Sequence, residues 1–203
     1  MKPDEPVDIN FRILDGAGGA ELLPAGAKAD DIRQAPEWEV RERWMLGAVT
    51  LRVGTLLVEV EQMPLLDFGL SLEFALRDLA LHGRSDLSFS DRSLLIRFTR
   101  DADLVDVTHW QSTASREWRV TATGAASYVQ LAAAAARFLR AALDLCTQAY
   151  PDLLLNNEIE RLYRHAAVRE LGEAQFIRHT EMVRRRLQQP PSDPPSPPPT
   201  TTS

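Results

Sequence analysis

The feature that most constrains the fold is a change of hydrophobic period near Ala125. Before it, short β-branched and aromatic segments are separated by polar turns, as strands are. After it, apolar residues recur at helical spacing. The helical stripe consists of Tyr128, Leu131, Ala135, Phe138, Ala142, Leu145 and Ala149. We therefore predict an α+β fold, in which a mostly antiparallel sheet of about six to eight strands carries one inserted helix and a C-terminal helical layer.

The strand predictions rest on alternation and turn residues. They cover residues 7–14, 37–44, 48–53, 56–61, 86–90, 93–99, 103–110 and 117–124. In the second of these, Trp38, Val40 and Trp44 alternate with charged residues, which favours a strand with one buried face. Between the third and fourth, Gly54-Thr55 suits a two-residue type II′ hairpin turn.

The inserted helix is predicted between Pro64, which suits a first helical turn, and Gly83, which suits a C-terminal stop. Its predicted inward face comprises Phe68, Leu72, Leu76 and Leu79, with Phe74 and Ala75 beside them, and the opposite side carries Glu73, Arg77 and Asp78. After the Ala-rich helix, which Pro151 ends, we predict a helix capped by Asn156 or Asn157 that runs to Leu171. A last helix is predicted at residues 173–188.

The simplest domain organisation is a single α+β domain at residues 7–188. Residues 1–6 are predicted to be a flexible N-terminus, and residues 189–203 a disordered, Pro-rich tail of polyproline-II character. The tail contains P-x-x-P spacings, but Gln188 stands where an SH3 ligand would have a basic residue. A solvated tail is therefore favoured.

Charge and cysteine content bear on partners and location. The formal net charge is -6, so the chain has no general electrostatic reason to bind nucleic acid or an anionic membrane. A basic or neutral protein is the expected partner. The one cysteine, Cys146, excludes an intramolecular disulfide, and the N-terminus lacks the apolar core of a signal peptide. These features predict a cytoplasmic protein, and the preference for Arg over Lys suggests a bacterial one.

Two stretches suggest a specific function at first, but other residues within each stretch argue against it. Residues 11–28 run from a strand into glycines, but Glu21 occupies the third position of a dinucleotide fingerprint and Pro24 interrupts any following helix. A turn at Asp15-Gly16 is favoured, and no cofactor is expected. The Ala-rich helix is long enough to span a bilayer. Its Arg137, Arg140 and Asp144 would each cost about 2.5 to 3.5 kcal/mol there, so no membrane span is predicted.

His109 is the most promising candidate for acid–base chemistry. It lies on a predicted strand beside Asp106 and Trp110, and near Glu117 and Trp118 if residues 106–110 and 117–121 pair as a hairpin. The alternative is an edge histidine with a solvated partner. The four histidines have no i, i+4 pairing, so no metal site is predicted. Cys146 lies near an apolar helix face, which favours an inert buried thiol.

A second candidate site combines acidic and aromatic residues. Its members are Asp101, Asp103, Asp106, His109, Trp110 and Trp118. Aromatic residues ringed by charge are a common composition of protein interfaces. The alternative for the acidic residues is a solvated face.

The stretch "MPLLDFGLSLEFALRDLALHG", followed by "DLSFSDRSLLIRFTRDADLVDV", resembles small bacterial α+β proteins of unknown function. Some of these look like immunity proteins of polymorphic toxin systems, which bind and block a cognate toxin. The resemblance spans about residues 45–165, transfers no catalytic or ligand residue, and lacks a Trp expected late in the helix. It implies a binding protein.

These observations predict a non-enzymatic, immunity-like protein-binding module with an acidic and aromatic docking surface. The alternative is a small-molecule-binding or hydrolase-like enzyme centred on His109, which requires a deep pocket with His109 and at least two carboxylates. A structural or oligomeric module is a third hypothesis. The sequence does not indicate the oligomeric state.

Overall fold

The computed structural model of the protein describes residues 6–13, 33–89, 94–113 and 117–162. The elements in these ranges are β1 (Val7–Ile13), α1 (Glu37–Glu42), β2 (Leu46–Val53), β3 (Leu56–Pro64), α2 (Leu65–His82), β4 (Arg84–Ser88), β5 (Leu94–Asp101), β6 (Leu104–Ser112), β7 (Trp118–Ser127), α3 (Tyr128–Ala149) and a 3₁₀ helix (Pro151–Leu155). Residues 157–162 are also helical.

The strands form two antiparallel sheets, one ordered β1-β2-β3 and the other β4-β5-β6-β7. The predicted α+β class is confirmed, and the division of its strands between two sheets is a feature that the local patterns did not specify. The β2–β3 hairpin turns at Gly54-Thr55 as predicted. Gly54 has a φ of 57°, which suits the first central position of a type II′ turn.

The strand predicted at residues 37–44 is wrong, because most of this segment is helix α1. Val40, within the helix, and Trp44, two residues after its end, are both buried, and a spacing of four fits one face of either a helix or a strand. Trp38 would share their face in a strand, but its side chain is 53% exposed. In so short a segment, the strand period and the helical period each fit part of the pattern. The helix forms because it packs better against the rest of the chain.

Helix α2 begins after Pro64 and ends at Gly83, whose φ of 73° is the left-handed conformation that favours glycine at a helix end. The predicted inward residues are buried: Phe68, Leu72, Leu76 and Leu79. Two flanking assignments are reversed, since Phe74 is 52% exposed and Glu73 only 2% exposed. The helix packs against α3 as well as strands, so its buried arc is wider than one stripe and is displaced from the predicted position.

Helix α3 starts at a capping box in which Ser127 and Gln130 each accept a hydrogen bond from the other's backbone N–H at 3.2 Å. The predicted stripe is confirmed: Tyr128, Leu131, Ala135, Phe138 and Ala142 are buried, and Leu145 is half-buried. Asn156 caps the next helix by accepting from the N–H of Glu158 at 2.9 Å, as predicted. The glycine-rich stretch at 14–32, the helical predictions beyond 162 and the Pro-rich tail lie outside the described residues.

One hydrophobic core joins both sheets and all three α-helices. The two sheets are in close contact where the tip of the β2–β3 hairpin meets β7. A Cβ on Gly124 would lie 2.0 Å from the carbonyl oxygen of Val53 and 2.8 Å from Cβ of Leu56, so only glycine fits there. Beside this contact, the hydroxyl of Thr55 donates to the carbonyl of Thr123 at 3.3 Å. The contact at the hairpin tip therefore fixes the position of one sheet relative to the other.

Candidate functional site

The four-stranded sheet has an inner face toward the core and an outer face away from it. Ladder rows such as Phe98, Val107 and Gly124 belong to the inner face, and the neighbouring row of Arg97 and Thr108 belongs to the outer face. The inner residues of β5 and β6 are mostly buried, whereas the outer ones are exposed or half-buried. Because side chains alternate along a strand, residues adjacent in sequence lie on opposite faces.

His109 lies on the inner face, opposite Ile96 on β5 and Ala122 on β7. Its Nδ1 is 2.7 Å from the hydroxyl oxygen of Thr121, which is also 3.3 Å from the backbone carbonyl of His109. Its Nε2 is buried without a hydrogen-bond partner among the described residues. Burial lowers the pKa of the imidazole, which favours the neutral ring.

A cleft of about 580 Å³ separates the bulged end of β3 from the inner face near His109. We call it the His109 cleft, and its described lining residues are Glu59, Val60, Glu61, Gln62, Leu94, His109 and Gln111. Gln62 has a φ of 54° where the β2–β3 register shifts. Such bulges redirect the side chains of a strand. Residues 59–62 were not predicted beside His109, because no local pattern reports a contact between segments about 50 positions apart.

The cleft meets part of what the hydrolase alternative requires, because Glu59 and Glu61 line it together with His109. However, among the described residues neither ring nitrogen of His109 is paired with a carboxylate, as an acid–base site would require. Nδ1 is engaged with Thr121, Nε2 is shielded from solvent, and no hydrogen bond or ion pair joins the ring to a carboxylate in the described part of the chain. A general base must be able to reach the proton that it removes. The geometry therefore favours a structural imidazole over a catalytic one.

The outer face carries a contiguous group of apolar residues at one end. Leu95, Trp110 and Val120 form one row across three strands, and Trp118 lies next to it on the same face of β7. We call these four residues the outer apolar patch. Trp118 is 46% and Val120 48% exposed. An antiparallel sheet with one face on the core usually presents polar residues on the other, so this patch departs from the expected pattern.

Arg97 connects the outer apolar patch to a charged residue of the edge strand β4. Its guanidinium lies over the indole of Trp110, with 5.6 Å between its central carbon and the ring centroid. It also donates two hydrogen bonds to Asp86, from Nε at 2.8 Å and from Nη2 at 2.9 Å. This pairing lowers the pKa of the Asp86 carboxyl. A stacked and bidentate Arg97 limits the positions that Trp110 can adopt.

The three predicted aspartates lie at the other end of the same sheet. Asp101 and Asp103 flank Ala102 at the turn from β5 to β6, and Asp106 faces outward opposite Thr99; all three aspartates are exposed. From Asp103 to Trp110 the strand extends about 23 Å, at about 3.3 Å per residue. The acidic end and the outer apolar patch are therefore separate parts of one face.

The structure thus divides the six residues that the sequence placed in one docking surface. Five belong to the outer face or its terminal turn, and His109 lies on the inner face. The predicted β6–β7 hairpin is present, but Trp118 lies opposite Ser112 and Ala122 lies opposite His109. Leu95, Arg97 and Val120 were missed as neighbours of Trp110. Alternation along each strand indicates which residues share a face. Only the register between strands shows which of those residues are neighbours.

Three further features of the described residues bear on a metal site, a reactive thiol and a membrane span. No group of three or more His, Cys, Asp or Glu side chains within residues 6–13, 33–89, 94–113 and 117–162 could hold a metal ion. Cys146 is buried, which raises the pKa of its thiol to about 12 and makes it unreactive. Within the same ranges, the helices are too short or too polar to cross a bilayer.

No family model matches the chain, and no curated protein or solved structure matches it either.

Proposed function

We propose that the protein is a cytoplasmic bacterial, non-enzymatic and immunity-like binding module, which docks a neutral or basic protein on the outer face of its four-stranded sheet. The observation that carries this proposal is the outer apolar patch, where Trp118 and Val120 leave about half of their surface in solvent. Exposed apolar residues that adjoin one another, with polar residues around them, are typical of interaction sites.

The composition of the patch suits an interface. Tryptophan and arginine are the residue types most often found as energetic hot spots, and Arg97 stacks on Trp110 next to Trp118 and Val120. Trp110 also keeps its indole N–H buried without a partner among the described residues. A rigid aromatic group in a defined position loses little conformational entropy when it is covered.

The acidic end of the face favours a basic partner. Asp101, Asp103 and Asp106 are exposed, and the chain as a whole has a net charge of -6. Charges at the rim of an interface act mainly on the rate of association and on the choice of partner. An interface of about 800 Å² per partner is about 30 Å across, which is wide enough to include both the aspartates and the patch.

The geometry of His109 supports a binding role over catalysis, since neither ring nitrogen is open to a substrate. The hydrolase-like alternative is therefore less well supported than docking on the outer face.

The test begins with identification of the partner. The full chain is used to capture proteins from the source organism, the captured protein is identified by mass spectrometry, and the purified partner is titrated against variants. We expect W118S/V120S to weaken binding about 100-fold or more, as loss of a hot spot does. D101K/D103K/D106K should slow association with a basic partner and reduce the salt dependence of binding.

A matched control for charge reversal is D8K/E42K/D78K, which reverses three exposed acidic residues on β1, α1 and α2. It should leave partner affinity unchanged. Unchanged affinity of W118S/V120S would refute docking on the patch. The immunity-like role has its own test: co-expression of the wild-type chain should protect cells from the toxic product of an adjacent gene, and W118S/V120S should not protect them.

A further inference from the structure

The first half of strand β7 is an open sheet edge, and we infer that a second copy of the chain pairs with it antiparallel to form a homodimer. β7 is the last strand in the order of the four-stranded sheet, so β6 covers only one of its two sides. Residues 118–121 are all exposed. The inference goes beyond the proposed docking of a different protein and does not depend on it.

The backbone of this edge presents hydrogen-bonding groups that β6 does not use. The N–H of Thr113 donates to the carbonyl of Glu117 at 2.8 Å, so these residues form a hydrogen-bonded pair of the β6–β7 ladder. Such pairs alternate with non-hydrogen-bonded ones along an antiparallel ladder. Trp118 and Val120 therefore belong to non-hydrogen-bonded pairs, and their N–H and C=O groups point away from β6. In the described part of the chain, no other backbone group bonds to them.

The second half of the β7 edge is covered. The tip of the β2–β3 hairpin lies against Gly124, and the hydroxyl of Thr55 donates to the carbonyl of Thr123 at 3.3 Å. The extra residue Thr121 interrupts the ladder between the two halves. Bulges and covering segments both prevent pairing at a sheet edge. A second strand can therefore pair with the residues before Thr121.

The charges at the start of β7 select one register for this pairing. Glu117 and Arg119 share the inner face, and their side chains are 65% and 70% exposed. In a symmetric antiparallel pair centred on Trp118, Glu117 of each copy lies opposite Arg119 of the other, which forms two ion pairs. A pair centred on Glu117 or on Arg119 would instead place like charges opposite each other, which is destabilising. The edge is thus complementary to a copy of itself in the register centred on Trp118.

The same register joins apolar surface on the outer face. The two Trp118 residues lie directly opposite each other, exchange their outward N–H and C=O groups, and form an aromatic cross-strand pair. A two-fold axis perpendicular to the sheet keeps both outer faces on one side, so the two outer apolar patches become continuous. The hairpin contacts at Gly124 of the two copies lie about 40 Å apart, at about 3.3 Å per residue, and so are remote from the pairing.

The experiment is light scattering of the full chain over a range of concentrations, which should show a dimer with a measurable dissociation constant. R119E places Glu opposite Glu, and E117R places Arg opposite Arg. Each variant alone should therefore raise the dissociation constant about tenfold or more. An equimolar mixture of the two variants restores both ion pairs, and it should form a heterodimer about as tightly as the wild type forms its dimer.

Matched controls are R137E and E42R, which reverse exposed charges on α3 and α1 and should leave the dissociation constant unchanged. Circular dichroism verifies that every variant is folded.

Disulfide cross-linking tests the register. Residues 117 and 119 of opposite copies would form a non-hydrogen-bonded pair, with Cα atoms about 4.5 Å apart, which is within disulfide range. An oxidised mixture of E117C and R119C should therefore cross-link between copies more than either variant alone. The buried Cys146 should not compete.

Three results would overturn the inference: a monomer at every concentration up to about 1 mM, a dimer that R119E and E117R do not weaken, or a mixture of these variants that does not recover. The measurements contain no other protein, so their failure would leave docking on the outer face untouched. Because R119E keeps Trp118 and Val120 in place, docking can be measured on this variant separately from dimerisation.

Discussion

The inner and outer faces of the four-stranded sheet are built from the same strands but differ in how their apolar residues are covered. On the inner face, Ile96, Phe98 and Val107 are fully buried and form part of the core. On the outer face, Trp118 and Val120 remain about half exposed although they are as apolar as the inner residues. Folding therefore accounts for the first group and leaves the second without a covering element among the described residues. The proposed docking would cover these outer apolar residues.

The contrast is sharpest between two consecutive residues. His109 faces the core side, where burial keeps it neutral, and Trp110 faces outward, where Arg97 stacks on it. A variant that removes the side chain of His109 or of Trp110, and leaves the other in place, tests whether the two faces act independently.

The largest expected effect compares Phe98→Ala with Trp118→Ala. Phe98 is fully buried, so its truncation should lower the free energy of unfolding by about 3 to 5 kcal/mol. Trp118→Ala should change it by no more than about 0.5 kcal/mol, because the side chain is half exposed. Urea denaturation measures both. A loss for Trp118→Ala similar to that for Phe98→Ala would show that the outer apolar patch belongs to the core.

Gly124→Ala tests the contact that holds the two sheets together. The new Cβ would meet the Val53 carbonyl at 2.0 Å, and because the obstacle is backbone, the chain must shift. We expect a loss of roughly 1 to 3 kcal/mol, as overpacking usually costs. Thr123→Val, on the outer face of the same strand, is the control and should be within about 0.5 kcal/mol of the wild type. A neutral Gly124→Ala would place the hairpin tip farther from β7 than the structure does.

The pairing of Asp86 with Arg97 should contribute less. Both side chains are partly exposed, so a double-mutant cycle of Asp86→Asn and Arg97→Gln should give a coupling of about 0.2 to 1 kcal/mol in unfolding free energy. Since the folded-state pKa of Asp86 is lowered, this contribution is present above the unfolded pKa and is lost as pH falls through the folded value. A coupling that does not fall as pH is lowered would mean that the two side chains interact without the charge.

The smallest effect concerns the pH dependence that His109 imposes. Its folded pKa is below the ordinary value of about 6.5, so the unfolded chain takes up the proton first. Stability should therefore decrease as pH falls from about 6.5 toward the folded pKa, and His109→Gln should remove this part of the decrease. Urea denaturation of both proteins at pH 7.5 and 5.5 measures the difference. Equal decreases in the two proteins would show that His109 is not buried in its neutral form.

Much of the fold was predictable because the signals are local. Pro64 and Gly83 bound α2, Gly54-Thr55 sets the β2–β3 turn, and the change of period marks α3. The segment at 37–44 was predicted wrongly because its eight residues fit two periods in part, and only the exposure of Trp38 beside the buried Val40 distinguishes the helix from a strand. Likewise Glu73 and Phe74 exchange their predicted environments, because α2 is covered by more than one neighbour.

For the candidate sites too, local sequence signals identified residues but not their neighbours in space. The sequence predicted His109, Trp110 and Trp118 as candidate binding residues, but it did not give their register, which puts Ala122 and not Trp118 opposite His109. An extra residue in β7, Thr121, shifts the pairing between His109 and Trp110. Alternation assigns faces only when such bulges are known.

By itself, the sequence determined the class of the fold, most of its elements and the acidic character of its surface, because period, turn residues and charge are properties of neighbouring residues. Only the tertiary structure decided that β3 borders the His109 cleft and that Leu95, Trp110 and Val120 form one row. These relations join segments far apart in the chain, and they depend on how the two sheets and the helices bury a shared core.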